Sequence, residues 1–378
     1  MRIINSAPLA LPVFAASLLS CLLGSAATAS EHGALARQLA ARDGVPPGLV
    51  EFESDYAERV NFGARLEPAG GIVHGAGQDP ASYREYSRLF GGEYRPMMFM
   101  TYITVTAGRQ AVLDWQQEVH GALDSLAGQN TTLQIGLNLT AGKDDGSGKA
   151  ERVADGTYDA AIAAFVAALE AFGVPAWVRI GYEFEGDWNG YAPEGYVAAF
   201  KYITGKIRDA GLDRVATVWC AAGGSAGFID FGRLMTYYPG DEYADWWGVD
   251  TFSPEELTNP WLAEFYALAA EHRKPVMIGE ATPRHVGAGK GWESWERWFK
   301  PFFEMVRRHP EIKAISYINW DWAYWSDELG FAWHDWEDAR LQNDELVRQL
   351  YVEELAHPVW IHAPEAHRIG YRSAQNGK

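Results

Sequence analysis

The sequence predicts an α/β fold, a single (β/α)8 TIM barrel, and three observations support this prediction. Apolar segments of strand-like composition alternate with amphipathic helical segments, which is typical of parallel α/β folds. Eight of each can be counted over roughly 290 residues, close to the size of such a barrel. No short repeat or low-complexity tract interrupts the alternation. The main alternative is an open doubly wound sheet.

The predicted elements follow one another in regular order. The strands are Gly71–Gly75, Pro96–Val105, Thr132–Leu139, Ala176–Phe184, Arg214–Ala221, Trp246–Phe252, Pro275–Ala281 and Ala314–Trp320. The helices are Pro80–Phe90, Gln110–Leu126, Tyr158–Phe172, Pro193–Ala210, Asp230–Tyr237, Trp261–His272, Trp292–Arg308 and Asp344–Leu355. A doubly wound sheet usually has a glycine-rich phosphate turn after its first strand, and His74-Gly75-Ala76-Gly77 lacks the required spacing. We therefore prefer the barrel.

The first 29 residues have the features of a signal peptide. Arg2 is their only charge, an apolar run extends from Leu9 to Leu23, and Ala27-Thr28-Ala29 is an A-x-A cleavage pattern. An uncleaved anchor and lipoprotein processing at Cys21 are the alternatives. We expect a secreted or periplasmic protein with an N-terminal lead-in at 30–70, the catalytic barrel at 71–356 and a C-terminal tail at 357–378.

The overall charge restricts the class of partner. The formal net charge of −18 argues against nucleic acid and anionic membranes, because phosphates would be repelled. A neutral polysaccharide or oligosaccharide is compatible with an acidic protein. After cleavage only Cys220 remains, so no intrachain disulfide can form. We predict no membrane span, and the sequence does not indicate an oligomeric state.

The chain has sixteen tryptophans, many of them near predicted strand ends or loops. Aromatic rings with a polar edge suit sugar rings, which combine apolar faces with hydroxyl groups. Packing in a large core is an equally good interpretation. The tryptophans concerned are Trp188, Trp219, Trp246, Trp247, Trp292, Trp320, Trp322, Trp325, Trp333 and Trp336.

Two predicted strands end in a glutamate, and in a barrel function lies at the strand C-termini. Glu183 is near the end of the fourth strand, and Glu280 closes the apolar seventh strand. A carboxylate at the end of a buried strand is unfavourable unless it is paired or used. Either could be paired structurally with Arg179 or Arg284. Together they suit glycoside hydrolysis, which needs two carboxyl groups flanking one bond.

Around these glutamates the sequence resembles a known group. Arg179-x-x-x-Glu183 followed by Gly186-Asp187-Trp188, and the later Gly279-Glu280, resemble the retaining (β/α)8 glycoside hydrolase clan, and within it glycoside hydrolase family 26. The resemblance covers the fourth to eighth strands. It implies that Glu183 is the acid/base and Glu280 the nucleophile, and that Trp188, Asp250 and Trp320 occupy family site positions.

Two positions depart from the family pattern. Tyr182 stands where the family usually has histidine before the acid/base. Phe252 stands where it usually has a tyrosine that donates to the nucleophile. Tyr102, Tyr317 or Arg284 could supply that missing donor to Glu280.

We therefore expect a retaining, endo-acting β-glycoside hydrolase that cleaves a plant or microbial polysaccharide of β-mannan, β-xylan or β-glucan type by double displacement. No cofactor is needed, and no histidine cluster of a metal-dependent hydrolase is present in the sequence. A barrel that binds carbohydrate without cleaving it is the main alternative, and a barrel enzyme of unrelated chemistry is another. The candidate substrate-binding residues are His74, Arg179, Tyr182, Trp188, Asn189, Trp219, Asp250, Tyr317, Trp320 and Asp321. A buried structural role is equally plausible for His74 and Trp219.

Overall fold

A computed structural model describes residues 31–50, 55–126, 130–140 and 149–369, and these form a closed parallel barrel. The eight barrel strands are Ile72–Gly77 (β1), Met98–Thr104 (β2), Thr132–Asn138 (β3), Ala176–Ile180 (β4), Val215–Ala221 (β5), Trp246–Thr251 (β6), Val276–Ala281 (β7) and Ile312–Tyr317 (β8). Each strand pairs with the next, and β8 pairs in parallel with β1. The predicted (β/α)8 barrel is confirmed, and closure between β8 and β1 excludes the open sheet.

Helices surround the strands, and most lie within a few residues of their predicted bounds. They are 31–42, Pro80–Leu89, Arg109–Ser125, Lys149–Ala154, Asp159–Phe172, Pro193–Asp209, Phe231–Leu234, Pro254–Leu257, Pro260–Glu271, Trp292–Ser294, Lys300–Arg308, Trp322–Leu329 and Glu345–Leu355. A π-helical turn, Trp295–Phe299, joins Trp292–Ser294 to Lys300–Arg308. The sequence analysis did not predict Trp322–Leu329, which becomes part of the site.

Local sequence explains where these elements begin. Before the helix Pro80–Leu89, the Asp79 side chain accepts hydrogen bonds from the backbone N–H groups of Ala81 and Ser82, and Pro80 occupies the first turn. This is a capping box, which satisfies N–H groups that have no partner within the helix. The strands are buried along nearly their whole length, because barrel strands face the interior on one side and helices on the other.

Both ends of the described chain pack against the barrel. In the helix 31–42, Ala36 and Ala40 are fully buried. Residues Trp360–Ile361 form a short strand, β9, that pairs with β1 outside the barrel. The predicted bounds of lead-in, barrel and tail stay predictions, and the signal peptide proposed for residues 1–29 lies outside the described residues. Among the described residues, no helix combines the length and apolar character needed to cross a membrane.

Candidate active site

A cleft of about 770 Å³ opens where several barrel strands end. Both predicted catalytic glutamates, Glu183 and Glu280, line it. The other lining residues are Gln78, Asp79, Tyr102, Asn138, Tyr182, Trp188, Asn189, Ser225, Phe252, Arg284, Trp320, Trp322, Ala332, Trp333 and Trp336. The cleft therefore lies at the end of the barrel where this fold places its function.

Glu183 lies in a turn and not in a strand. The sequence analysis placed it in a strand extending to Phe184, but β4 ends at Ile180, and Glu183 has a left-handed backbone with φ of 53°. Its N–H donates to the Cys220 carbonyl at 2.8 Å, and Asn189 Nδ2 donates to the Glu183 carbonyl at 3.0 Å. A left-handed conformation is unfavourable for a residue with a Cβ, so these bonds help to hold the carboxyl group at the cleft.

Glu280 belongs to a buried ionic group with Arg179 and Asp250. Arg179 Nη2 donates to Glu280 Oε1 at 2.5 Å, while its Nη1 lies 2.9 and 3.0 Å from the two Asp250 oxygens. The Arg179 and Asp250 side chains are fully buried, whereas the Glu280 side chain retains 11% exposure toward the cleft. The guanidinium thus fixes Glu280 from behind and leaves it accessible to a substrate.

Charge distinguishes the two glutamates. Burial raises the pKa of Glu183 well above its usual value, and the negative charges of Asp250 and Glu280 add to this effect. Burial alone would lower the pKa of Arg179, but Asp250 and Glu280 raise it, so Arg179 stays charged. The Arg179 guanidinium forms ion pairs with Asp250 and Glu280 but none with Glu183, and burial raises the pKa of Asp250 as well as that of Glu183.

Trp188 contacts the Glu183 carboxyl group directly. Its Nε1–H donates to Glu183 Oε2 at 2.8 Å, and the residue is 39% exposed. An indole N–H can only donate, so Oε2 is the acceptor and a proton on Glu183 is favoured on the other oxygen, Oε1. The bond therefore orients the Glu183 carboxyl group, and the exposed indole adds an aromatic surface beside it.

Six of the ten predicted binding residues do not line the cleft: Arg179 and Asp250 belong to the ionic group of Glu280, and the other four bond elsewhere. His74, Trp219 and Tyr317 are fully buried. His74 bonds with His362 and Tyr86, Trp219 Nε1 donates to the Tyr237 carbonyl, and the Tyr317 hydroxyl donates to the Ala339 carbonyl. Asp321 caps the helix Trp322–Leu329 and forms an ion pair with Arg340. Strand-end position alone did not distinguish core from cleft side chains.

The other binding candidates surround the glutamates. Tyr182, Trp188, Asn189 and Trp320 line the cleft, while Arg179 and Asp250 lie behind Glu280. The Tyr182 ring lies over the Arg179 guanidinium, with its centroid 4.7 Å from Cζ. These residues thus contribute either a surface of the cleft or the ion pairs that position its nucleophile candidate.

The donor that contacts Glu280 is Arg179, and the three suggested substitutes bond elsewhere. Tyr102 donates to the Met100 sulfur at 3.2 Å, and Arg284 pairs with Asp335 at 3.0 Å. Tyr317 is occupied by the Ala339 carbonyl. Phe252 lines the cleft, with its ring centroid 4.8 Å from that of Trp336. An apolar ring therefore borders the site at this position.

Sequence reasoning missed several polar residues of the cleft. Asn138 ends β3, Gln78 and Asp79 follow β1, and Ser225 lies in the loop after β5. Asn138 could have been predicted as a cleft residue, because it is a polar residue at the C-terminal end of a strand. Loop residues such as Ser225 carried no comparable signal.

The tryptophans divide between core and cleft. Trp219, Trp246 and Trp247 are fully buried, and Trp292 packs against the core. Trp188, Trp320, Trp322, Trp333 and Trp336 line the cleft. Trp325 stacks on Trp320, with ring centroids 5.2 Å apart. Within the described residues, no three histidine, cysteine or carboxylate side chains are grouped so that they could hold a metal ion.

Comparisons with known proteins agree with this geometry. The model of glycosyl hydrolase family 26 matches residues 141–285. A β-1,3-xylanase from Vibrio sp. is 28% identical over 349 residues, covering 83% of this chain and 71% of that enzyme. A β-1,3-xylanase from Alcaligenes sp. is 27% identical, covering 79% of this chain and 66% of that enzyme.

Solved structures share the fold. An endo-β-1,4-mannanase double mutant from Cellulomonas fimi superposes with a TM-score of 0.60 at 14% identity, covering 84% of this chain and 80% of that one. A β-mannanase from Bacteroides ovatus superposes with a TM-score of 0.56 at 12% identity, covering 81% and 94%. The chain is a retaining (β/α)8 glycoside hydrolase, similar to glycosyl hydrolase family 26.

Proposed function

We propose that Glu183 is the acid/base and Glu280 the nucleophile of this endo-acting β-glycoside hydrolase. A single observation supports both roles: the two carboxyl groups line one cleft, and only that of Glu280 is ion-paired with Arg179. Glu280 accepts a hydrogen bond from a buried guanidinium, whereas burial and neighbouring carboxylates raise the pKa of Glu183. A nucleophile must be ionised and an acid must be protonated, so each group suits one role.

The reaction would proceed in two displacements. Glu183 transfers the proton on Oε1 to the glycosidic oxygen while a Glu280 oxygen attacks the anomeric carbon, so that the sugar–oxygen bond breaks and a glycosyl ester forms. Glu183, now a carboxylate, removes a proton from water. The resulting hydroxide attacks the anomeric carbon and releases Glu280, which restores both groups and retains the anomeric configuration.

For the substrate, we propose a neutral β-1,3-linked xylan. Two relatives are named as β-1,3-xylanases, and each of them matches about four-fifths of this chain. The acidic net charge of the chain is compatible with an uncharged polymer. Mannans and mixed-linkage glucans are the substrates that the test must compare.

The test measures reducing ends released from β-1,3-xylan, β-1,4-xylan, mannan and mixed-linkage glucan by the native enzyme and by Glu280→Ala and Glu183→Gln. We expect the largest kcat/KM on β-1,3-xylan, and near-complete loss with Glu280→Ala. Proton NMR of the first product should report the β-anomer. A faster reaction on mannan would overturn the substrate, and full activity in Glu280→Ala would overturn the assignment of the nucleophile.

Export is a separate proposal that depends on residues 1–29. The apolar run and the Ala27-Thr28-Ala29 pattern support cleavage after Ala29 and a secreted or periplasmic enzyme. The mass of the N-terminal peptide recovered outside the cytoplasm tests it. A peptide that begins at a lipid-modified Cys21 would replace it with a lipoprotein anchor.

A further inference from the structure

One wall of the cleft is built by an element that follows the last barrel strand. The helix Trp322–Leu329 and residues 330–338 contribute three lining tryptophans, Trp322, Trp333 and Trp336, and Trp320 lies just before the helix. The same wall also carries aromatic residues that do not line the cleft. These are Tyr324, Trp325 and Phe331, which we call the aromatic platform.

The platform is continuous with the cleft through ring contacts. Trp325 stacks on the cleft residue Trp320, with centroids 5.2 Å apart and planes inclined by 15°, and Tyr324 contacts Trp325 at 5.2 Å. Phe331 stacks on the cleft residue Trp333, with centroids 4.1 Å apart and planes inclined by 23°. Two rows of rings therefore lead outward from the cleft.

The outer rings remain exposed. Tyr324 is 52% exposed and Phe331 is 45% exposed, so about half of each large aromatic residue remains accessible to solvent. Exposed apolar surface rimmed by polar residues commonly marks a site of interaction. Polar side chains lie close by in sequence, among them Asp327, whose side chain is 76% exposed and contacts His334, and Asp335, whose side chain is 45% exposed and pairs with Arg284.

The platform is held in place by polar contacts. Asp321 accepts from the Tyr324 N–H at 3.0 Å, and Ser326 Oγ accepts from the Trp333 N–H at 3.1 Å. His334 Nε2 lies 2.8 Å from Asp327, which links the helix to the following loop. The rings are thus presented in a defined arrangement, which lowers the entropic cost of binding.

We propose that the aromatic platform binds sugar residues of the polysaccharide that extend beyond the cleft. This inference rests on the proposed function, because it assigns the platform to the same uncharged chain. A sugar ring can lie on an exposed aromatic face, and the ring contacts with Trp320 and Trp333 join each of the two rows to the cleft. The formal net charge of −18 disfavours an anionic polymer or membrane surface.

The test compares a long and a short substrate of the same linkage. The enzyme variants are Tyr324→Ala, Phe331→Ala and the double variant, and the substrates are the polymer that the native enzyme hydrolyses and its trisaccharide. We expect KM for the polymer to rise about threefold in each single variant and about tenfold in the double variant, from the usual strength of one aromatic contact. For the trisaccharide, kcat/KM should stay within about twofold.

Matched variants separate ring stacking from other causes. Tyr324→Phe keeps the ring and should keep the native KM for the polymer. Leu329→Ala removes an exposed apolar side chain of the same helix but no ring, and it should also keep the native KM. Equal losses on polymer and trisaccharide, or no change on either, would overturn the proposal. A native dimer in sedimentation that Phe331→Ala dissociates would assign the platform to a second copy instead.

Failure of the proposed function would look different. If the native enzyme released no reducing ends from any polymer, affinity electrophoresis in a gel containing β-1,3-xylan would still measure binding. Retardation that depends on Tyr324 and Phe331 would keep the platform and remove the hydrolase assignment. Retardation unaffected by either substitution would remove the platform as well.

Discussion

Arg179 Nη2 lies 2.5 Å from Glu280 Oε1, while Nη1 of the same guanidinium bonds to Asp250. One planar group therefore spans two carboxylates on neighbouring strands, β6 and β7. The planar guanidinium keeps Nη1 and Nη2 at a fixed distance from each other. Because Nη1 is bonded to Asp250, this fixed distance sets the position of Glu280. A lysine in the same place has a single nitrogen and cannot reproduce both bonds.

Substitution of Arg179 should therefore lower activity even when the positive charge is kept. We expect Arg179→Lys to lower kcat by about 10²-fold, because Glu280 loses its positioning donor. Arg179→Ala should also lower the free energy of unfolding by about 3–5 kcal/mol, since two buried carboxylates lose their partner. Steady-state kinetics and urea unfolding measure the two effects. Arg348→Lys, at a pair with Glu345 on the outer surface, is the control and should change neither.

A substitution at Gly279 would disturb the same ionic group, because the Gly279 backbone lies against Arg179 and Asp250. A Cβ at Gly279 would lie 2.6 Å from Arg179 Nη1 and 2.6 Å from Asp250 Oδ1. Gly279→Ala should therefore lower kcat and reduce the free energy of unfolding by about 1–3 kcal/mol. Gly205, inside the helix Pro193–Asp209, has open space around its Cβ position. Gly205→Ala should be neutral or stabilising by up to about 1 kcal/mol. A fully active Gly279→Ala would contradict the role assigned to the ion pairs.

Trp188 should set the alkaline limit of activity. Its N–H bond to Glu183 Oε2 favours the carboxylate form, so its loss in Trp188→Phe should raise the pKa of Glu183 further. The role proposed for Glu183 requires its protonated form, so activity should decline as pH rises through that pKa, and the alkaline limb of the kcat profile should move to higher pH in the variant. We expect kcat near the native optimum to fall about threefold to tenfold.

Trp188→Ala separates the bond from the ring. It removes both the N–H donor and the exposed indole surface, so it should show the same alkaline shift together with a higher KM. Movement of the limb to lower pH in Trp188→Phe would contradict the proposed orientation of the acid. The measurement is kcat and KM between about pH 4 and pH 10 on the preferred polymer.

Two buried histidines should make the fold sensitive to acid. Burial lowers the pKa of His362 to about 4 and lowers that of His74 well below its usual value, so both rings are neutral in the folded state. The unfolded chain binds protons at about pH 6.5. Stability is therefore present above that pH and is lost as pH falls toward the folded pKa, by about 3 kcal/mol for His362 alone.

Urea unfolding between pH 8 and pH 4 measures this loss. His362→Asn should be less stable than the native protein at pH 8 but should lose less stability on acidification. His334→Asn, at an exposed histidine, is the control and should keep the native slope. Parallel slopes for His362→Asn and the native protein would exclude His362 as the cause.

The sequence predicted the barrel because strand and helix patterns recur regularly, and it located Glu183 and Glu280 because strand ends are recognisable. It did not predict that β4 stops at Ile180 and that Glu183 sits in a left-handed turn. Nor could it separate His74 and Trp219 from cleft residues. Their burial depends on partners distant in sequence, such as His362, 288 residues away. Pattern analysis of one chain contains no information on such pairs.

The strand β9 has a consequence for the timing of folding. Strand β1 emerges early in synthesis, yet its pairing with Trp360–Ile361 and the contact of His74 with His362 require the last part of the described chain. Strand β8 closes the barrel against β1, but Ile72, Val73 and His74 lack these later neighbours until residues 360–362 have left the ribosome. The first strand therefore gains its last neighbours from a segment that is synthesised after every other strand of the sheet.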